Sequence, residues 1–326
     1  MSDILISEQM TGPDLEELRQ RFKIVFDPEL WKAPTQLREM IPDFRALIVR
    51  NQTQVDRALI SAGARLQVIG RAGAGLDNVD VRAASESGVV VAYAPDQNSN
   101  SVAELVLGLM LALARRIPLA DHDTRRGGWN RHRLTGIELQ GKTLGLVGLG
   151  RIGLCTALKA RALGMEIVAC DPYADPKGFA VAESGARLLG LDELLPLSDF
   201  VSCHVPETTS TTNLFSYSRF CQMKLEAYFI NSSRGSVVKE EDLARALSEG
   251  KIAGAAVDVR SEEPPTRHLF AGLTNVILTP HIGAFTREGQ QRVLAALCSD
   301  VSAVLDGGAA KHFANFEKPR TPSLRL

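Results

Sequence analysis

Short runs of aliphatic and β-branched residues alternate with longer stretches of helical periodicity through most of the chain. In the first third the runs are Ile4–Ile6, Ala46–Val49, Leu66–Ile69 and Val89–Val91. A second series follows, at Thr143–Val147, Glu166–Cys170, Phe200–His204, Tyr228–Asn231, Gly254–Val257 and Val276–Leu278. They are largely apolar rather than alternating, as in strands covered on both faces of a parallel sheet with crossover helices. The order βαβα, repeated, predicts two α/β domains with doubly wound parallel sheets. The polar, proline-containing segment Ala94-Pro-Asp-Gln-Asn98 predicts the boundary. Residues 1–97 plus about 290–326 are assigned to one domain and residues 98–289 to the other. Ser101-Val-Ala-Glu104 predicts a capping box at the start of the apolar helix Val102–Ala114. The closing helix, from about Thr286 and with no strand after it, predicts a return to the first domain. The residues from Lys318 onward are expected to form a loose terminus.

Composition narrows the partners. A length of 326 residues suits two domains of moderate size. With 37 basic and 38 acidic residues the net charge is -1, which predicts no nucleic-acid or membrane partner and a small anionic substrate recognised locally. The apolar helix is shorter than the roughly 20 residues needed to span a bilayer. It suits burial in a core or an interface instead. The first residues lack the basic start and apolar core of a signal peptide, so none is expected. The five cysteines form no CxxC pair, which argues against a disulfide framework or a zinc ribbon and predicts free thiols, no metal site and a cytoplasmic location.

The strand Thr143–Val147 runs into Gly148-Leu-Gly150-Arg-Ile-Gly153, and a helical pattern follows to Leu163. A glycine triplet alone is weak, but strand, turn and helix together predict a dinucleotide site. The first glycine permits the turn, the second admits the pyrophosphate and the third lets the helix pack on the strand. Free N–H groups and the dipole at the helix start favour the anion. Asp171 lies 18 residues past Gly153, where an acidic side chain would bind the adenosine ribose and repel a 2′-phosphate, favouring NAD over NADP. Arg151, inside the turn, is expected to contact the pyrophosphate, with a place in solvent as the alternative.

Hydride transfer to a 2-oxo acid needs a cation for the carboxylate, a proton donor, and a group that keeps the donor protonated. Arg234 follows the strand Tyr228–Asn231, Asp258 ends Gly254–Val257 with Glu263 in the next loop, and His281 follows Val276–Leu278. Singly, each is as easily an ordinary turn or surface residue. Their shared position beyond the carboxyl ends of parallel strands points to a site.

At these segments the sequence resembles the D-isomer-specific 2-hydroxyacid dehydrogenases, particularly the phosphoglycerate dehydrogenase-like branch. The resemblance rests on Ala46–Arg50, Gly70-Arg-Ala-Gly-Ala-Gly-Leu-Asp-Asn-Val-Asp80, Ser101–Glu104, Gly145–Gly153, His204-Val-Pro206, Ile230–Gly235, Asp258–Pro264 and Thr279–Gly283. It implies a Rossmann NAD-binding domain and a flavodoxin-like substrate domain. It implies that Arg234 binds the substrate carboxylate, that His281 is the general acid or base, and that Glu263 hydrogen-bonds the imidazole and favours its protonated form. Cofactor contacts extend by resemblance to Arg151, Ile152, Val205, Ser232, Asp258, His281 and Gly283, with Asp258 near the nicotinamide. The second glycine turn, through Ala72, Gly73, Ala74 and Gly75, would offer amides to the substrate, and Arg50 would meet a distal anion. A homodimer and closure of the two domains over the substrate are also implied.

The chain departs from the pattern at Arg260, where an aromatic residue is usual; a surface change and an added cation at the rim are both open. Ser232 replaces a common cysteine or threonine. A regulatory domain after the catalytic core is not expected, nor is allosteric control through one. Substrate candidates are 3-phosphoglycerate, hydroxypyruvate or glyoxylate, and sulfolactate, and Arg131, His132 and Arg133 are further candidates for reading a second anion. A reading of another class is an NAD-sensing binding protein, like the resembling transcriptional corepressors.

Overall fold

In the computed structural model, which describes residues 2–316, the apolar runs become strands. The chain divides into two compact units, Met1–Asn98 with Thr286–Leu326, and Ser99–Phe285. The first unit contains β1 (Ile4–Ile6), β2 (Ile24–Phe26), β3 (Ala46–Val49), β4 (Val68–Arg71) and β5 (Val90–Tyr93). They form an all-parallel sheet in the order β2-β1-β3-β4-β5, the flavodoxin-like order. Helix Arg287–Leu305 packs on β4 and β5, and Val293, Leu297 and Val301 complete the core on that face. Its N-cap Thr286 accepts from the Gly289 amide, which fixes where the helix starts. Beyond it the chain returns to β5, and the Tyr93 and Ala314 amides bond to the His312 and Val91 carbonyls.

Ser99–Phe285 contains β6 (Thr143–Val147), β7 (Glu166–Cys170), β8 (Arg187–Leu188), β9 (Phe200–Cys203), β10 (Tyr228–Asn231), β11 (Gly254–Val257) and β12 (Val276–Leu278). The order is β12-β11-β10-β9-β6-β7-β8, again parallel throughout. The chain winds outward one way from β6 and then the other way from β9. This places the topological switch between those two neighbours, where ligands bind in open sheets. The apolar helix Ser99–Ala114 covers β10 and β11, with Val106, Leu109 and Met110 buried in the core. No helix among the described residues is long and apolar enough to cross a membrane.

The expected strands shift where a turn claims their first residue. Leu66 donates to Gly63 and Val89 to Ala84, so β4 and β5 begin later than their apolar runs. The patterning missed β2 and β8, both short and at sheet edges. The expected capping box does not form. The helix begins at Ser99, so Ser101 lies buried inside the first turn, and Glu104 instead accepts from Asn100 and pairs with Lys159. The small serine suits close packing of that turn better than a cap outside it. The residues from Lys318 onward, expected to be loose, lie outside the described residues.

The loop after β3 is organised by a buried carboxylate. Glu8, 2% exposed, accepts the amides of Arg50 (2.9 Å), Gln52 (3.1 Å) and Thr53 (2.9 Å). Asn78 donates to the Arg50 and Thr53 carbonyls at 2.9 and 2.7 Å. Burial draws the Arg50 guanidinium below the usual arginine value, opposed by the nearby Glu8 charge. Glu8→Ala would leave these amides without their acceptor, and should lower stability by about 3 kcal/mol. Urea unfolding reads this directly. A loss under about 1 kcal/mol would mean that water replaces the carboxylate at no real cost.

Candidate active site

The parallel register aligns the last residues of six strands in one row: Leu278, Val257, Asn231, Cys203, Val147 and Cys170. Everything that follows these residues therefore emerges along one edge of the sheet. The glycine turn, Asp171, the Ser232–Arg234 segment, Asp258 and the His281 loop share that edge for this reason.

At β6, Gly148 takes φ +99°, a conformation that favours glycine, and its amide donates to the Cys170 carbonyl at 2.9 Å. A Cβ on Gly153 would stand 2.4 Å from the Gly148 carbonyl oxygen, so the helix can pack this close only as glycine. Gly150 is the N-cap of helix Arg151–Ala162, and a Cβ there would meet nothing within 4 Å. The turn thus opens outward at its second glycine. Asp171 accepts from Leu149 N–H at 2.8 Å and Tyr173 N–H at 2.9 Å, which ties its carboxylate to the same turn. His204 packs beneath, its Nε2 at 3.0 Å from the Ser202 hydroxyl, and burial pushes its imidazole down to about 4. It fills space under the turn as a neutral ring. Ile152 and Val205 are half-buried here, while Arg151 is exposed.

After β10, Asn231 accepts from the Ser233 amide and hydroxyl and donates to the Arg234 carbonyl at 2.9 Å. This side-chain turn bends the backbone so that Arg234 is presented at the edge, half-buried, its guanidinium donating to the Ser233 carbonyl at 2.7 Å. The Ser232 hydroxyl is buried without a hydrogen-bond partner among the described residues. A buried orphan hydroxyl is rare unless something else satisfies it. Its place on the same sheet edge as the glycine turn fits a bound dinucleotide.

Asp258, 1% exposed, binds the loop after β12 through the Thr279 hydroxyl (2.6 Å) and the Ile282 and Gly283 amides (2.9 Å each). Its carboxylate is therefore a clamp on the histidine loop. His281 sits at φ +55° and donates its amide to the Asp258 carbonyl at 2.7 Å. That backbone state costs on the order of 1–2 kcal/mol for a residue with a Cβ. The Asp258 bonds hold it. The reward is a fixed imidazole, with Nδ1 at 2.7 Å from Glu263 Oε2.

The other Glu263 oxygen accepts the Arg260 amide at 3.0 Å. Burial opposes ionisation of Glu263, but the hydrogen bond and charge of His281, the Arg260 amide and the Arg234 cation outweigh it and hold the carboxyl below its usual range. The pair is therefore ionised on the carboxylate side through neutral pH. With a carboxylate at Nδ1, that nitrogen carries its proton inward and Nε2 is left for chemistry.

Arg260 is neither a loose surface residue nor a free cation at the rim. Its guanidinium grips Glu240 at 3.1 and 2.7 Å, with only 12% and 6% side-chain exposure, and lies 4.9 Å from the Phe270 ring centroid. Glu240 was not legible as a partner because it opens an acidic helix start, Glu240-Glu-Asp242, that reads as solvated. In the other unit, Ala72 donates its amide to Val49 and Gly73 to Arg71, each at 2.8 Å, so those two amides are already engaged. Ala74 and Gly75 remain the candidate donors of that turn. Arg131, His132 and Arg133 are exposed.

Residues 107–283 match the family described as D-isomer specific 2-hydroxyacid dehydrogenase, NAD binding domain. The D-3-phosphoglycerate dehydrogenase of Methanocaldococcus jannaschii is 46% identical over 293 residues, 89% of this chain but 55% of that relative. The chain thus spans about half the length of that protein. The TT0316 protein of Thermus thermophilus superposes with a TM-score of 0.89 at 33% identity, covering 96% of this chain and all of that one. D-lactate dehydrogenase from Aquifex aeolicus, solved with NAD and lactic acid, gives 0.87 at 26% identity, covering 97% of this chain and 100% of that one. The chain belongs to the D-isomer specific 2-hydroxyacid dehydrogenases, and its Ser99–Phe285 unit carries the NAD binding domain of that family.

Proposed function

We propose that this protein transfers a hydride between NAD and C2 of a small D-2-hydroxy acid or 2-oxo acid, in the manner of a phosphoglycerate dehydrogenase. The observation that carries this reading is the Glu263–His281 pair at 2.7 Å on the same sheet edge as Arg234 and the glycine turn. The cofactor residues are Gly148, Gly150, Arg151, Ile152, Gly153, Asp171, Val205, Ser232, Asp258, His281 and Gly283. When bound, NADH supplies the hydride that reaches C2. Arg234 pairs with the substrate carboxylate and polarises the C2 carbonyl. His281 delivers the proton from Nε2 to the carbonyl oxygen as charge develops there, and Glu263 stabilises the imidazolium while it waits. Oxidation runs the same steps backward, with neutral His281 taking the hydroxyl proton.

Asp171 favours NAD, because its carboxylate would repel a 2′-phosphate. Arg50 and the amides of Ala74 and Gly75 are assigned to the substrate's anionic groups, with Ala72 and Gly73 shaping that turn. We further propose a cytoplasmic homodimer with no nucleic-acid partner. Support comes from the exposed side chains of Ile117 and Trp129, the free state of all five cysteines and the nearly balanced charge.

The test is NADH absorbance in the intact chain with the oxidised forms of 3-phosphoglycerate and sulfolactate, and with hydroxypyruvate and glyoxylate. Turnover of a 2-oxo acid with NADH well above NADPH is expected. No turnover of any acid would overturn the reading, and glyoxylate turned over as well as the doubly anionic acids would remove the role given to Arg50.

A further inference from the structure

We propose that Glu240 is a positioning residue for the acid–base pair. Through Arg260 it sets where the Glu263 carboxylate stands, and with it the imidazole of His281. The inference rests on the function proposed above and adds a residue that lies outside the cofactor and substrate contacts.

The segment that carries Glu263 has no ladder to hold it. Residues 259–268 form neither helix nor strand, so their position depends on side-chain anchors. Glu240 supplies one. Its Oε1 accepts Arg260 Nε at 3.1 Å and the Ser261 amide at 2.7 Å, while Oε2 accepts Arg260 Nη2 at 2.7 Å. The fork geometry fixes direction as well as distance. From the same residue, the Arg260 amide reaches Glu263 Oε1 at 3.0 Å, and Glu263 Oε2 meets His281 Nδ1 at 2.7 Å. The two oxygens of Glu263 are thus held from opposite sides, one by the anchored backbone and one by the imidazole.

A second contact ties in the arginine turn. A Cβ on Gly235 would stand 1.9 Å from the Arg260 carbonyl carbon and 2.3 Å from the Ser261 nitrogen. The turn that presents Arg234 therefore rests directly on the backbone that Glu240 anchors. One buried carboxylate registers both the substrate cation and the proton donor. The imidazole meets Glu263; Arg234 acts on that same carboxylate, and the Arg260 guanidinium is taken up by Glu240. The Asp258 carboxylate is turned to Thr279, Ile282 and Gly283.

The experiment follows the His281 imidazole by NMR titration in the intact chain, beside the pH profile of kcat. In Glu240→Gln the freed Arg260 cation and a displaced Glu263 both disfavour the protonated ring, so the midpoint should fall by about half a pH unit or more. The misplaced donor should also cost about tenfold in kcat. Glu240→Asp keeps the charge but not the reach, and should shift the midpoint the same way by less. An unchanged midpoint in Glu240→Gln overturns the proposal even if Tm drops. A shift in Glu240→Gln with none in Glu240→Asp also overturns it, because charge at a distance would then suffice. Should Glu240→Gln fail to fold, Arg260→Lys keeps a cation but loses the fork, and an unchanged midpoint there is equally decisive. The titration reads the ring without turnover. A chain that transfers no hydride would refute the function and leave this test standing.

Discussion

Replacing His281 by alanine is expected to lower kcat for 2-oxo acid reduction by about 10²- to 10⁴-fold, the range that a positioned general acid contributes. NADH affinity should fall by much less than kcat, because His281 is one of many proposed cofactor residues and its Nδ1 is taken up by Glu263. One feature of the site keeps this loss a chemical one. The ring is held in an uncommon backbone state, at φ +55°, by bonds to Asp258 that a substituted side chain does not break. The scaffold should therefore survive, and the deficit should be chemical. Glu263→Gln should lie between the wild type and His281→Ala, since an amide still bonds the ring but no longer stabilises its charge. The pH dependence follows from the sign of the Glu263 shift. Its carboxyl is held low, so the carboxylate that supports the imidazole is present above the ordinary carboxyl range, and its contribution is lost as pH falls through the depressed value. A His281→Ala enzyme with wild-type kcat across pH would remove the histidine from the mechanism.

Arg234→Ala is the second large expectation. A guanidinium that gives two charge-assisted bonds to a carboxylate contributes about 1.5–3 kcal/mol for each, so kcat/KM should fall by about 10²- to 10⁴-fold. Lysine should rescue little of this, because it offers a point charge where the site presents a planar fork. The fold gives the variant a fair trial. Asn231 shapes the turn through the Ser233 amide and the Arg234 carbonyl, which are backbone groups that remain in the variant. Steady-state kinetics with a 2-oxo acid decide the matter. Equal kcat/KM in the wild type and Arg234→Ala would show that the carboxylate is held elsewhere.

The positions of Gly148, Asp171, Arg234, Glu263 and His281 were legible because parallel strands export their next residues to one edge. A reader needs only the strand ends to see which residues share it. The strand ends were clear in the apolar runs, and β6, β7, β10, β11 and β12 match theirs residue for residue. What stayed hidden depends on contacts distant in sequence or on weak local patterns. Glu8 bonds across more than forty residues to the loop at Arg50, and nothing near it in sequence announces that it is buried. Glu240 looked like one of several acids at a helix start. Arg260 looked like a lost aromatic, whereas it spans Glu240 and Phe270 at once. The capping box failed for a related reason: a local signature gave way to the packing of an apolar helix face.

The bond from Leu149 N–H to the Asp171 carboxylate bears on any attempt to change coenzyme preference. The residue that would be exchanged to admit a 2′-phosphate is also a brace for the loop proposed to bind the pyrophosphate. Exchange for a small neutral side chain would relax discrimination and loosen the loop together, so weaker binding of both coenzymes would accompany the altered preference. A successful redesign has to supply a neutral acceptor for that amide in the same step; asparagine, with its one remaining carbonyl oxygen, is the natural first choice.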